Sequence, residues 1–122
     1  MLLVHASAGP SPIHGLGLFA REFIAAQTPI WELTPGFDLE MTREFLDSLS
    51  PWTGEQIRRF LYIEIETGKY ILCSDDAKYM NHADQPNTCT VGRTTIALCE
   101  ILPGEELTCD YREFDASYGR VR

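Results

Sequence analysis

The sequence predicts a mainly β domain with a small helical insert. Three observations carry that expectation. Short apolar runs broken by Gly and Pro fill the chain to about residue 37, and the period turns helical between about 41 and 61. Beyond that, two stretches alternate apolar and polar residues about a turn.

The first region reads "LLV", "GPSP", "GLGLFA", "TPIWEL" and "TPGFD", a meander of short strands and turns. In the second, Phe45, Leu46 and Leu49 recur at helical spacing. "TGEQIRRFL" opens with Thr53 three residues before Gln56, the arrangement of a capping box, so two short helices are expected there. "YIEIETGKYILC" alternates about Thr67-Gly68-Lys69 and predicts a hairpin. "TTIALCEILPGEELTCDY" predicts a second, broken at Pro103-Gly104.

A chain of 122 residues is the size of one domain, and residues 1–122 are expected to form one. No apolar run reaches the roughly 18 residues of a membrane span, and "MLLVHASAGP" has neither the basic start nor the apolar stretch of a leader. An intracellular, cytoplasmic protein is expected. Cys73, Cys89, Cys99 and Cys109 are too widely spaced for a zinc knuckle and read as reduced, mostly buried thiols. A net charge of −8 with only ten Lys and Arg argues against nucleic acid and is compatible with a basic partner.

The polar run "YMNHADQPNTC" admits several readings. His82-Ala83-Asp84 has the His-x-carboxylate spacing of an iron site, but the second histidine that such a site needs does not follow, and no metal is expected. Asp84, Pro86 and Asn87 would suit a plain turn. The "GLG" at 15–17 lacks the length of a dinucleotide fingerprint.

Three motifs taken in order are more specific: "HGLGLFA" at 14–20, "YMNHADQPN" at 79–87 and "GEELTCDY" at 104–111. Together they resemble the SET domain of protein lysine methyltransferases, from about residue 3 to 114. The resemblance implies small curved β-sheets around a knot-like crossing, where the segment of Asn81 and His82 threads past that of Tyr111. Within the family the chain resembles the compact, stand-alone members, which implies a form without zinc-binding flanks.

The resemblance further implies S-adenosylmethionine as methyl donor and S-adenosylhomocysteine as product, with a target lysine entering from the opposite face. His14, Gly15, Leu16 and Gly17 would approach the donor with backbone atoms, Asn81 and His82 would hold its amino group and adenine, and Tyr111 would be the catalytic tyrosine. Phe114 is a candidate to stack near the adenine, and Tyr62, Tyr70 and Tyr79 are candidate channel aromatics. The family most often reads Asn-His-Ser where this chain has Ala83, which removes one hydroxyl. Implied partners are a lysine-bearing protein, a histone tail among the candidates, with chromatin association in that case. Neither direct nucleic-acid contact nor a membrane is implied, and the protein would be a monomer or a homodimer. A catalytically inactive module binding basic segments is the alternative.

Overall fold

The computed structural model describes residues 1–118. In chain order the strands are β1 (Ala6–Pro10), β2 (Leu16–Ala20), β3 (Pro29–Glu32) and β4 (Leu39–Met41). Two helices follow, α1 (Arg43–Ser48) and α2 (Pro51–Arg58), then β5 (Tyr62–Ile63), β6 (Tyr70–Leu72), β7 (Asn81–His82), β8 (Thr88–Val91), β9 (Thr94–Ala97) and β10 (Glu106–Cys109). Single 3₁₀ turns at Asp76–Tyr79 and Tyr111–Glu113 flank the polar motif and follow β10. The expected mainly β architecture with a helical insert is borne out.

Three small sheets share the chain, in the orders β1-β2-β10-β7, β3-β9-β8 and β4-β6-β5. Leu18 pairs with Leu107 in the first, and both side chains are fully buried in the main core beside Ile24, Ile30, Ile71 and Ile101. Each such residue contributes about 1.5–3 kcal/mol by leaving water. A satellite core of Met41, Leu46 and Leu61 holds the helical insert, with Leu49, Ile57 and Tyr70 packed on it. Phe45 is adjacent to Leu46 and therefore points elsewhere. It is exposed, as is Trp52, which keeps 75% of its surface in water.

The first predicted hairpin is present: Tyr62 pairs with Ile71 and Ile63 with Tyr70, and Gly68 at the turn has φ +70°, a conformation costly for a side chain. The second is not. Gly104 does turn the chain, at φ +89°, but β9 pairs with β3 and β8 while β10 joins β2 and β7 in another sheet. The true hairpin here is β8–β9, closed at Gly92-Arg93 between Val91 and Thr94. The predicted cap also shifts. Ser50, not Thr53, caps α2: its side chain accepts from Thr53 N–H, and Pro51 takes the first helical position, where its missing N–H costs nothing. Cys73 and Cys109 are buried as expected, Cys89 is half-buried and Cys99 is exposed.

One pairing positions the functional residues. β7 runs parallel to β10, with Asn81 beside Thr108 and His82 beside Cys109, and Ala83 N–H continues the contact to the Cys109 carbonyl at 3.0 Å. A parallel pair needs a crossover, and here it is the excursion through β8 and β9.

Candidate functional site

The β1–β2 loop is closed by Ser11 N–H donating to the Gly15 carbonyl at 2.9 Å, with Gly15 at φ +44°. A Cβ at Gly15 would meet nothing, so glycine is needed there for its backbone angle and not for space. Gly17 is the reverse case. A Cβ there would stand 2.4 Å from Oε2 of Glu106, so the missing side chain makes room for a carboxylate.

Asn81 reaches this loop from β7. Its Nδ2 lies 3.2 Å from the carbonyls of His14 and Leu16, 3.2 Å from Ser11 Oγ and 3.0 Å from Glu106 Oε2. An amide nitrogen with four acceptors around it points its hydrogens among them, and Asn81 also lines the cleft.

His82 is committed to Tyr111. Tyr111 N–H donates to its Nδ1 at 3.1 Å, which puts the ring proton on Nε2, 3.2 Å from Asp84. The ring also packs on Tyr111 and Tyr118, with centroids 5.4 and 4.8 Å apart. What His82 offers a ligand is therefore its main chain and ring edge. Asp110, 3.7 Å from Nδ1, has its carboxyl held below the usual range by its hydrogen bond to Arg112.

Tyr111 is fixed at its other end as well, since its phenol donates to the Met80 carbonyl at 2.7 Å. It forms a wall common to two hollows. On one side is a cleft of about 600 Å³ lined by Ile13, His14, Gly15, Leu16, Tyr79, Asn81 and His82. On the other is a cavity of about 120 Å³ lined by Trp31, Tyr62, Cys73, Thr90, Thr95, Cys109 and Phe114, among others. Arg59, Phe60, Lys78 and Met80 face both. Burial pushes the Cys73 thiol up to about 12 and also raises the phenol of Tyr62 and the thiol of Cys109, so these three groups stay neutral, while Arg59, Lys78 and Asp115 line the same cavity.

Most of the expected site residues meet here. His14, Gly15, Leu16, Asn81, His82 and Tyr79 line the cleft, and Tyr62 lines the cavity. Gly17 lies behind the cleft wall, against Glu106. Phe114 is on the cavity side of Tyr111: the turn after β10 carries it edge-on to Tyr62 at 5.1 Å and to Tyr111 at 5.9 Å. Tyr70 is brought to neither hollow, because its place opposite Met41 on β6 points it into the satellite core.

Sequence reasoning missed the residues that face both hollows. Lys78 Nζ sits 5.6 Å over Phe60 and 5.5 Å over Tyr79, and the Arg59 guanidinium 4.9 Å over Phe60, as cations on aromatic faces do. Adjacency of Lys78 to the Asn-His motif was the one available signal.

A model of the SET domain family matches residues 15–112. A search of curated protein sequences finds no match to the chain. Among solved structures, a humanized mutant of Chaetomium thermophilum Polycomb Repressive Complex 2 bound to an inhibitor is 25% identical with a TM-score of 0.61. That alignment covers 91% of this chain and 15% of the other. The same complex in an autoinhibited conformation bound to S-adenosylmethionine is 22% identical with a TM-score of 0.63, over 91% and 16%. A Plasmodium falciparum protein described as a histone methyltransferase is 19% identical with a TM-score of 0.60, over 90% and 95%. This chain thus spans about a sixth of the Polycomb chains and nearly all of the Plasmodium one.

Proposed function

Because the chain belongs to the SET-domain family, we propose that it is an S-adenosylmethionine-dependent protein lysine N-methyltransferase acting on a basic peptide or protein tail. The observation that carries this reading is the wall at Tyr111, with a roomy cleft on one side and a narrow cavity on the other. Two reactants that must meet end to end need such a partition.

The cleft has the size of a ligand site. Its residues fit the donor: Oδ1 of Asn81 is an acceptor for an ammonium group, the backbone of His14, Gly15 and Leu16 allows close approach, and Lys78 and Arg59 bring positive charge for a carboxylate. Bound there, S-adenosylmethionine would supply a methyl group on a positively charged sulfur and leave as S-adenosylhomocysteine.

The cavity suits the lysine. An amine with a pKa near 10.4 is neutral in only roughly one molecule in 2,500 at pH 7, a deficit of about 4.6 kcal/mol. Tyr62, Phe114, Met80 and Cys109 would exclude water from the amine and so favour its neutral form. Tyr111, fixed at both ends, would orient the amine toward the cleft, and alignment then supplies the remaining rate. In this reading Phe114 and Tyr62 belong to the lysine side and Tyr79 to the donor side. The substrate class we favour is a histone-like basic tail, which the acidic balance of the chain suits and which would bring the protein to chromatin.

Titration calorimetry with S-adenosylmethionine tests the donor half. The wild type should bind and Asn81→Ala should lose about tenfold or more in affinity, the worth of a hydrogen bond to a charged group. Transfer of labelled methyl to lysine-rich peptides, histone tails included, tests the rest. Donor binding without transfer to any basic peptide would favour a binding module over an enzyme.

A further inference from the structure

Glu106 lines neither hollow, yet Asn81 of the cleft wall and two residues behind that wall, Ser11 and Gly17, converge on its carboxylate. Ser11 Oγ lies 2.8 Å from Oε1 and 2.9 Å from Oε2, Asn81 Nδ2 lies 3.0 Å from Oε2, and Gly17 presents its bare Cα side to the same oxygen. No Lys or Arg is paired with this half-buried carboxylate among the described residues, so its donors are the Ser11 hydroxyl and the Asn81 amide. Ser11 in turn accepts from Ile13 N–H at 3.0 Å and so carries the restraint into the loop.

The orientation of Asn81 follows from this. Ser11 Oγ can serve as donor or acceptor, and the His14 and Leu16 carbonyls lie at the end of the β1–β2 loop and the start of β2. Glu106 is different in kind: it is anchored on β10, whose backbone is paired on both sides, and its carboxylate can only accept. An acceptor fixed at that point draws the NH₂ end of Asn81 toward β10.

We propose that Glu106 is a positioning residue for donor binding: it sets the flip of the Asn81 carboxamide, pins the 11–16 loop through Ser11, and is the reason position 17 is glycine. The proposal rests on the donor reading of the cleft, and it adds a carboxylate behind the wall to the residues that form the wall.

The test combines S-adenosylmethionine calorimetry with amide hydrogen exchange of residues 11–17 in the donor-free protein. Glu106→Ala should weaken donor binding about tenfold and speed exchange in the loop. Glu106→Gln keeps one oxygen for Asn81 and should restore affinity to within about threefold of wild type. Gly17→Ala should weaken binding alone and cost clearly less on top of Glu106→Ala, because the tightest clash has been removed and only the 3.0 Å approach to Ser11 Cβ remains.

If Gly17→Ala costs the same with and without the carboxylate, the glycine serves something else and the proposal falls. It falls equally if Glu106→Ala, folded by its melting curve, leaves loop exchange unchanged, or if Gln binds as poorly as Ala. Should the wild type bind no donor, the proposed function fails, while the exchange comparison still decides whether Glu106 holds the loop.

Discussion

Tyr111 shows how much a single residue can be constrained without a covalent bond. Its main chain is tied to His82 and its phenol to Met80, so neither its height nor its ring angle is free. Tyr111→Phe removes the phenol oxygen and leaves the Met80 carbonyl without that donor. With the catalytic role proposed above, turnover should fall about 100-fold while donor affinity stays within about threefold, since the interaction lost would be one made at the reacting centre. Methyl-transfer kinetics beside donor calorimetry check this, and a matching loss in both would reduce Tyr111 to a packing residue. Asn81, His82 and Tyr111 were singled out because the three runs taken in order resemble the SET-domain family, not because any one run carries the chemistry by itself. Glu106 stands in one of the same runs, but its partner Ser11 is 95 positions away, and no local pattern announces such a contact.

Elements were legible where the signal was local. The Gly68 turn closes its hairpin as expected, while Thr42, which was not anticipated, caps α1 by accepting from Phe45 N–H at 3.1 Å. The start of α2 was missed because Thr53 and Gln56 imitate a capping box, while Ser50-Pro51 holds the stronger combination of side-chain acceptor and proline. Ser50→Ala should therefore destabilise the protein by about 1 kcal/mol, and Thr53→Ala by less than about 0.5 kcal/mol. Urea titration of the two variants distinguishes them. The strands around Pro103-Gly104 failed for a different reason. The turn was read correctly, but turns fix only where the chain bends, and β10 pairs with β2, where Leu107 and Leu18 enter the main core together.

At the scale of the molecule, separate sheets must be locked together, and Arg93 is one lock. From the β8–β9 turn its Nε and Nη2 reach both oxygens of Glu64 at 2.9 and 2.8 Å, and Nη2 also reaches Glu40 at 2.8 Å, joining two of the three sheets. The Arg93 bond holds the Glu64 carboxyl below its ordinary value of 4.5. A depressed folded pKa means that this stabilisation is complete above the ordinary value and is lost as the pH falls through the lower, folded one. Thermal melts from neutral pH down to pH ~3 should show that acid limb, and Arg93→Met should flatten it.

The two tryptophans divide the protein optically. Trp52 is largely in water on the helical insert, while Trp31 stands in the wall of the smaller cavity, its indole N–H without a hydrogen-bond partner among the described residues. Trp52→Phe would leave one emitter, blue-shifted by its burial and placed in the lining of the smaller cavity. A basic peptide should change that emission. S-adenosylmethionine alone should change it far less, because the cleft wall contains no indole among its lining residues. The chain thus carries its own label for one of its two hollows and is silent about the other, so the order in which they fill can be read without adding a dye.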